Sequence, residues 1–385
     1  MNFNNFFFDS YRILIFVAVQ FLIAVSNWFL LRRPKKEPDV NLQPKVSILV
    51  PARNEEKTIA ACVNSLIEQD YPDFEVVVLD DHSEDRTREI LASISSRKLR
   101  VIAGQDLPAG WTGKNWSCHQ LAQNALGELF IFTDADVVFE KGTLSRVVAM
   151  RQKNNADMLT GIVRNVLPTF GEQITVPFLL WSIMAILPIG IAQIWRSSKA
   201  FVAANGKFML FSRAAYERIG GHQAVRSDAA EDLALSRLVK GARMKWLLID
   251  LTELVSAKMY HGFLSAWRGF SKNFFAIFDY RVLPALFVWF WMLLITYHPL
   301  VTAAVLIGNG QLNAHFQAAA ATVALSLLIW FITALKTKLP VTVVLLYPLT
   351  MAVASSIGIY SLILSVLGRT GWKGRRLPRH RIRIV

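Results

Sequence analysis

Long apolar stretches lie at both ends of the 385-residue chain, and a segment of mixed polarity separates them. Four stretches are long enough to cross about 30 Å of hydrocarbon as a helix, namely residues 11–31, 284–307, 316–335 and 341–367. Between the first two, short β-branched runs alternate with segments whose apolar residues recur at helical spacing. That alternation is typical of the sheet of a nucleotide-binding α/β domain. The pattern therefore predicts an α/β domain with one N-terminal and about three C-terminal transmembrane helices.

Four sheet strands are predicted in the first half of this domain, at residues 46–50, 74–80, 99–103 and 130–138. The last reads F-I-F-T-D-A-D-V-V, a buried parallel strand that delivers Asp134 and Asp136 to its carboxyl end. Ligands of open α/β sheets bind at that edge. Carboxylates at alternate positions suit Mg²⁺ or Mn²⁺, whose coordination shells are completed by water and substrate phosphates. A nucleotide-diphosphate site is therefore the first hypothesis, and a solvated strand end before a helix cap is the alternative.

Composition divides the chain into six parts. They are an N-terminal anchor (1–33), a proline-containing linker (34–45), the α/β domain (46–260), an amphipathic interfacial segment (261–283), the C-terminal transmembrane region (284–367) and a basic tail (368–385). Within the domain, residues 174–196 are nearly long enough to span a bilayer. A crossing there would put Asp134 and Asp232, two acids expected in one active site, on opposite sides of the membrane. We therefore expect an interfacial segment at 174–196, with a core helix against the sheet as the alternative.

Cations cluster beside the apolar stretches and give the chain a formal charge of +14. By the positive-inside rule, the basic flank at residues 32–36 predicts a cytoplasmic domain in a protein of the cell (inner) membrane. Attraction of the flank and the tail to anionic lipid headgroups explains the charge without nucleic-acid binding. Three C-terminal crossings would place the tail outside, against the same rule, unless Pro348 breaks residues 341–367 into a re-entrant pair. Cys62 and Cys118 are expected to be free thiols.

Five motifs occur in order between residues 46 and 248. They are V-P-A-R-N-E-E, V-V-V-L-D-D-H-S-E-D-R-T, G-K-N-W-S-C-H-Q-L-A, F-I-F-T-D-A-D and A-E-D-L-A-L-S-R. Together they resemble the family 2 inverting glycosyltransferases, which have the Rossmann-like GT-A fold. With the membrane segments, G-W-T-G-K-N-W and the tail motif G-W-K-G-R-R, the chain is most similar to the membrane-bound bacterial branch that glycosylates lipids or isoprenoids, including carotenoid- and hopanoid-associated enzymes. The resemblance implies a nucleotide-diphosphate sugar donor, with a UDP-sugar as the leading choice.

The resemblance also implies roles for single residues on the donor side. Those that would line the nucleotide-sugar pocket are Pro51, Arg53, Glu55, Asp80, Asp81, Lys114 and Asp134. Asp81, rather than Asp80, would accept a hydrogen bond from the base, although a helix cap also fits it. Lys114 would lie near the diphosphate. Asp136 would be the main ligand of a divalent cation, Mg²⁺ or Mn²⁺, with Asp134 contacting the ribose or the metal.

Asp232 aligns with the family's catalytic carboxylate and would take the proton from the acceptor hydroxyl. Gly206 and Glu231 are assigned to the acceptor side, although Glu231 also fits an acid favoured by a helix N-terminus. The Gln-x-x-Arg-Trp motif of processive members is missing after Asp232. Its nearest counterpart is Trp267-Arg268, which together with Lys272 is the candidate for closing the site over the diphosphate. Alternatively, these three residues anchor the chain at the membrane surface.

The leading hypothesis is an enzyme that transfers a sugar from a nucleotide donor to a hydroxyl of a membrane lipid or isoprenoid. A polyprenyl-phosphate sugar transferase is the second enzyme hypothesis, since a phosphate acceptor needs no strong base. A catalytically silent membrane scaffold or lipid carrier is the third. Four acids at strand ends and at a helix start favour chemistry over the third hypothesis, because a scaffold has no use for them.

Overall fold

The computed structural model describes residues 9–35 and 43–385, so residues 36–42 of the predicted linker and basic flank lie outside the described residues. The strands are β1 (Val46–Ala52), β2 (Phe74–Asp80), β3 (Leu99–Ala103), β4 (Leu129–Phe132), β5 (Val137–Phe139), β6 (Met158–Ile162), β7 (Arg164–Asn165), β8 (Met209–Ser212), β9 (Trp246–Asp250), β10 (Val255–Ala257), β11 (Gly371–Trp372) and β12 (Arg375–Arg376).

The α-helices alternate with the first strands and then follow the domain as long apolar segments. They are α1 (Ser10–Leu30), α2 (Ile59–Ile67), α3 (Thr87–Ser93), α4 (Gly113–Asn124), α5 (Thr143–Asn154), α6 (Phe170–Gln173), α7 (Pro177–Ile186), α8 (Ile189–Ile194), α9 (Arg213–Arg218), α10 (Gly221–Ala224), α11 (Glu231–Gly241), α12 (Phe263–Ser271), α13 (Val282–Gly308), α14 (Ala314–Thr337) and α15 (Tyr347–Val366). Short 3₁₀ segments cover Ala276–Phe278 and Val341–Val344.

A seven-stranded sheet in the order β3-β2-β1-β4-β8-β6-β9 forms the centre of the domain. The apolar runs of β1 and β2 are buried almost throughout, as expected for strands in the middle of a sheet covered on both faces. β1 is parallel to β2 and β4, whereas β8 runs antiparallel to β4 and β6. The predicted α/β class is confirmed, and the strands expected at 74–80 and 99–103 have those bounds.

The predicted strand at 130–138 is wrong in one respect, because two strands of different sheets replace it. β4 pairs with β1 in the central sheet, whereas β5 pairs with β10 in a three-stranded sheet. Between them, the Thr133 hydroxyl donates to the carbonyl oxygen of Lys207 at 2.8 Å. Phe132 and Val137 are both buried, so the hydrophobic pattern does not reveal the break. The break places Asp134 and Asp136 between the two sheets.

Among the described residues, four helices are long and apolar enough to cross a membrane, namely α1, α13, α14 and α15. They match the expected one N-terminal and three C-terminal segments, and they indicate association with a membrane. Asn27 of α1 holds the loop between α7 and α8: its side-chain amide donates to the carbonyl oxygen of Leu187 at 2.7 Å and accepts from the Ile189 N–H at 3.1 Å. Such bonds satisfy polar groups that would be costly to bury alone.

The segment at 174–196 packs on these helices with one face and leaves apolar side chains exposed on the other. Trp181 of α7 stacks on Trp330 of α14, with ring centroids 5.8 Å apart. Gln193 of α8 donates to the carbonyl oxygen of Leu248 in the edge strand β9 at 3.3 Å. Ile194, by contrast, is 84% exposed. The exposed apolar face is what an interfacial segment requires.

Ion pairs join two apolar helices to one edge of the domain. Arg33, just after α1, donates to Asp250 (Nε to Oδ2, 2.7 Å) and to Glu253 (2.8 Å). Lys336 of α14 lies 3.6 Å from the same Asp250 oxygen, and Lys338 lies 3.3 Å from Glu253. The last turns of α1 and α14 therefore end on the same side, beside the domain.

Residues 341–366 begin and end at the domain. Near the start, the Thr342 hydroxyl bonds to Gln173 at 3.0 Å, and Pro348 lies in the first turn of α15. After α15 the tail runs back along the domain, where the Arg383 N–H donates to the Tyr280 carbonyl oxygen at 3.0 Å. Pro348 therefore does not break residues 341–367 into a re-entrant pair, because it begins one continuous helix of 20 residues.

Candidate active site

An acid–lysine cluster forms where the β4–β5 break meets the N-termini of α4 and α11. It consists of Lys114, Asp134, Asp136, Lys207, Glu231 and Asp232. Lys114, in the first turn of α4, places its Nζ 2.7 Å from Asp134 Oδ1 and 2.7 Å from Glu231 Oε1. Burial alone would lower the pKa of Lys114, but the two carboxylates raise it well above its ordinary value. This lysine is therefore a fixed cation between the strand break and α11.

Lys207, which precedes β8, holds the second acid of the break. Its Nζ lies 2.6 and 2.7 Å from the two Asp136 oxygens and 3.8 Å from Asp134. The Lys207 residue is only 4% exposed. Burial alone would raise the pKa of Asp134, but Lys114 and Lys207 lower it. The alternative of a solvated strand end is wrong for Asp136, because its carboxylate neutralises a buried ammonium group.

The acids of the cluster offer only a small set of ligands for the predicted divalent cation. Within residues 9–35 and 43–385, no group of three or more His, Cys, Asp and Glu side chains is placed to hold a metal ion. Asp134 and Asp136 supply two carboxylates, which fits an ion that takes one or two protein ligands and completes its shell with water and phosphates. Both carboxylates are paired with lysines, so the ion would have to displace Lys207 from Asp136.

Asp232 lies in the first turn of α11, beside the acceptor-side stretch. Its Oδ2 accepts from the Gly206 N–H at 3.0 Å and its Oδ1 from the Leu233 N–H at 2.7 Å. A side chain on Gly206 would be crowded, because its Cβ would lie 3.0 Å from Lys114 Nζ and 3.4 Å from Glu231. Burial, and then the negative charge of Glu231, raise the pKa of Asp232 to about 6. The carboxylate is therefore ionised at neutral pH and unusually basic for an aspartate.

The donor side holds a second pair of acids, Glu55 after β1 and Asp81 after β2, which we call the tail-paired acids. Arg375 donates to both Asp81 oxygens, at 2.6 and 3.2 Å. Lys373 bonds to Glu55 and donates to the Arg53 carbonyl oxygen at 2.7 Å. Burial raises the pKa of Glu55, and Asp136 adds to the rise, whereas Lys373 opposes it. Because β1 lies between β2 and β4 and is parallel to both, the two groups of acids lie at the same edge of the sheet.

The remaining donor-side residues support the loops. Arg53 donates through Nη1 to the Asp81 carbonyl oxygen at 2.7 Å, so it fixes the turn after β2. Asp80 accepts from Arg88 Nε at 3.0 Å and from the Ser83 N–H at 3.2 Å. Pro51 lies within β1 itself. Asp81 is thus the acid of the Asp80–Asp81 pair that faces the site.

Trp267 and Arg268, the two residues expected to close the site, have different surroundings in the structure. Trp267 on α12 contacts Phe263 and Tyr360, with ring centroids 5.6 and 5.8 Å away, which is a packing role. Arg268 lines a cavity of about 590 Å³ together with Lys272 and the tail. Burial lowers the pKa of Lys272 to about 8. Arg268 and Lys272 therefore remain near the site, whereas Trp267 anchors α12.

Sequence reasoning missed the basic partners of the acids. The sequence motifs gave no role to Lys207, and the tail cations were assigned to lipid headgroups. That assignment is wrong for Lys373 and Arg375, since both bind acids of the domain. The tail motif G-W-K-G-R-R, with cations around a glycine turn, was the available signal.

Residues 47–220 match the sequence model of glycosyl transferase family 2. The 4,4'-diaponeurosporenoate glycosyltransferase of Staphylococcus aureus (strain USA300) is 25% identical over 266 residues, which cover 68% of this chain and 69% of the relative. The mannosyltransferase PcManGT from Pyrobaculum calidifontis, solved with GDP-Man and Mn²⁺, superimposes with a TM-score of 0.54 at 18% identity, covering 93% of this chain and 99% of that chain, and shares its fold. Residues 47–220 therefore resemble the glycosyl transferases of family 2, and the chain has the GT-A fold of that mannosyltransferase.

Proposed function

We propose that the protein transfers a sugar from a nucleotide diphosphate to a hydroxyl of a membrane lipid or isoprenoid, with inversion at the anomeric carbon. The observation that carries this proposal is the position of Asp232 in the acid–lysine cluster, where it accepts from the Gly206 N–H at 3.0 Å and where burial and Glu231 raise its pKa to about 6. A general base is most effective when its pKa lies near the working pH. Asp232 would take the acceptor proton while the hydroxyl oxygen attacks the face opposite the leaving diphosphate, which inverts the configuration.

The donor would lie along the carboxyl edge of β1 and β2. Lys114 offers an ammonium for the diphosphate, which is a suitable partner for phosphate oxygens. Asp81 would accept a hydrogen bond from the base, and for this the Arg375 pair at 2.6 Å has to open or shift. A UDP-sugar is the leading donor hypothesis.

A divalent cation, Mg²⁺ or Mn²⁺, would be held by Asp134 and Asp136. When bound, it would supply Lewis-acid stabilisation of the charge that develops on the departing diphosphate. Lys207 would have to release Asp136 to make room for the ion. Two carboxylates at one strand break support this assignment.

The acceptor is proposed to reach Asp232 from the membrane, because apolar side chains of the 174–196 segment, such as Ile194 and Trp195, remain exposed beside the domain. The relative from Staphylococcus aureus is named for an isoprenoid-type substrate, 4,4'-diaponeurosporenoate. The basic flank at 32–35, next to α1, supports a cytoplasmic domain at the cell membrane. Nucleic acid has no part in the proposal.

The test uses membranes from cells that express the wild type, Asp232→Asn or no protein. Each is incubated with labelled UDP-glucose and, in parallel, labelled GDP-mannose, and the lipids are separated by thin-layer chromatography. We expect a labelled lipid in the wild type, and a much weaker one in Asp232→Asn. Asp73→Asn, which changes an exposed acid 59% accessible at its side chain, is the matched control. Absence of any labelled lipid from wild-type membranes, across all donors of a nucleotide-sugar panel, contradicts the proposal.

A further inference from the structure

A basic cavity lies between α12, the end of α15 and the β11–β12 hairpin of the tail. Its volume is about 590 Å³, which falls in the range of small-molecule sites. The charged side chains that line it are all cationic, and they are Arg268, Lys272, Arg369, Lys373, Arg375 and Arg376. No carboxylate lines this cavity within the part of the chain that the structure describes.

The charge of this cavity is only partly compensated. Lys373 and Arg375 reach out of it to Glu55 and Asp81. In residues 9–35 and 43–385, neither Arg268, Arg369 nor Arg376 forms an ion pair with a carboxylate. Like charges held within one cavity repel each other, and the repulsion falls when an anion binds between them. Guanidinium groups favour phosphate among anions, because their planar fork bonds to two oxygens at once.

The hairpin that forms one wall is attached directly to the donor side. Arg375 of β12 holds both Asp81 oxygens, and the Cβ of a residue at position 113 would lie 2.7 Å from Arg375 Nη1. Gly113 therefore permits the close approach of the tail to α4. On the opposite wall, Lys272 lies near enough to Glu231 and Asp134 for their charges to raise its pKa, against the larger effect of burial. The cavity thus adjoins the acid–lysine cluster.

We propose that this cavity is a phosphate-binding site and that the 371–376 hairpin of the tail forms one of its walls. This deepens, and rests on, the proposed use of a nucleotide-sugar donor. The shared ligand chemistry is a phosphate ester or diphosphate. It has two possible sources: the diphosphate of the donor or product, and the phosphate of a lipid headgroup, for which the neighbouring Tyr360 and Leu364 offer apolar contact.

The first experiment measures binding of inorganic pyrophosphate to the full chain in nanodiscs of phosphatidylcholine, by calorimetry, with EDTA present to exclude metal sites. We expect the double variant Arg369→Gln/Arg376→Gln to bind about tenfold or more weakly than the wild type, because two charge-assisted contacts are lost. Arg381→Gln, which removes an exposed tail cation outside the cavity, is the matched control and should bind within about twofold of the wild type. Equal affinity of the double variant and the control, or no binding by the wild type, overturns the proposal.

The second experiment identifies the source. The titration is repeated in nanodiscs in which phosphatidylglycerol replaces part of the phosphatidylcholine. If a headgroup fills the cavity, anionic lipid weakens pyrophosphate binding to the wild type but not to the double variant. If the soluble diphosphate is the ligand, the affinity of the wild type relative to the Arg369→Gln/Arg376→Gln variant stays the same in both lipids. Either result supports a phosphate site and assigns its ligand.

Sugar transfer is measured on the same samples to separate this proposal from the proposed function. Asp232→Asn should lose transfer and keep pyrophosphate binding. Arginine-dependent binding without transfer in the wild type would contradict the proposed function alone. Transfer with arginine-independent binding would contradict the cavity proposal alone.

Discussion

The acid–lysine cluster and the tail-paired acids lie at the same edge of one sheet, but their cations have different origins. Asp134, Asp136 and Glu231 are held by Lys114 and Lys207, which belong to the domain itself. Glu55 and Asp81 are held by Lys373 and Arg375, which follow the last apolar helix. The acids of the proposed base and metal site are therefore paired within the domain, whereas the acids of the proposed donor side are paired with the tail.

The largest effect is expected from Asp232→Asn in the acid–lysine cluster. Asparagine keeps the size and can accept the Gly206 hydrogen bond, but it cannot take a proton. Turnover should fall by about 10²- to 10⁴-fold, the usual contribution of a positioned base. The donor KM should change little, because the tail-paired acids are untouched. Steady-state kinetics with labelled donor measures turnover and donor KM separately, with Asp73→Asn as the control. A rise in KM at constant turnover would contradict the prediction.

Asp136→Asn should lower metal-dependent turnover by about 10³-fold, since a Lewis acid contributes several kcal/mol. The same change leaves the buried Lys207 without its main partner, so the free energy of unfolding should also fall. Asp136→Asn/Lys207→Met removes both charges and should recover stability without recovering turnover. Thermal unfolding and a Mn²⁺ titration of activity measure the two effects separately. Wild-type turnover of Asp136→Asn in excess EDTA would exclude the metal assignment.

Glu55→Gln/Asp81→Asn should release the tail and spare the acid–lysine cluster. Hydrogen bonds to charged groups contribute about 1.5–3 kcal/mol each, so the open form should increase about tenfold or more. Trypsin should then remove a C-terminal tag about tenfold faster, because the basic tail offers many cleavage sites. Asp73→Asn/Glu89→Gln, which changes two exposed acids, serves as the control. An unchanged cleavage rate would mean that the tail is held by other contacts.

The smallest effect concerns pH and stability. The pKa of Asp232 is raised in the folded protein to about 6. A raised carboxyl pKa favours folding below the unfolded pKa, and this contribution is lost as the pH rises through about 6. Asparagine does not titrate, so the Tm of Asp232→Asn relative to the wild type should increase between pH 4 and pH 7. A pH-independent difference in Tm would show that Asp232 is not buried as an ionised group.

The fold was predictable from the sequence where the local hydrophobic pattern of a segment matches its burial in the folded protein. The β-branched runs of β2 and β3 are strands with the expected bounds, and the long apolar segments are helices. The β4–β5 break was not predictable, because Phe132 and Val137 are buried in different sheets and look like one run. Periodicity reports burial, but not which sheet provides it.

The residues of the candidate site were predictable from the sequence only where they belong to short motifs. Lys114, Asp134 and Asp232 were identified from their motifs and lie together. Their basic partners depend on contacts across the chain: Arg375 and Asp81 are 294 positions apart. A cation in a basic tail looks the same in sequence whether it binds a lipid or a buried carboxylate. Only the folded arrangement distinguishes the two.

The configuration of the product tests the central claim, that Asp232 activates a lipid hydroxyl for attack opposite the diphosphate. The full chain in nanodiscs is supplied with an α-linked nucleotide sugar and membrane lipid extract, and the glycolipid formed is analysed by proton NMR. A β-linked sugar on a hydroxyl oxygen, formed by the wild type and about 10²- to 10⁴-fold more slowly by Asp232→Asn, is the predicted result. An α-linked product, or a sugar on phosphate made equally fast by both proteins, would contradict the account.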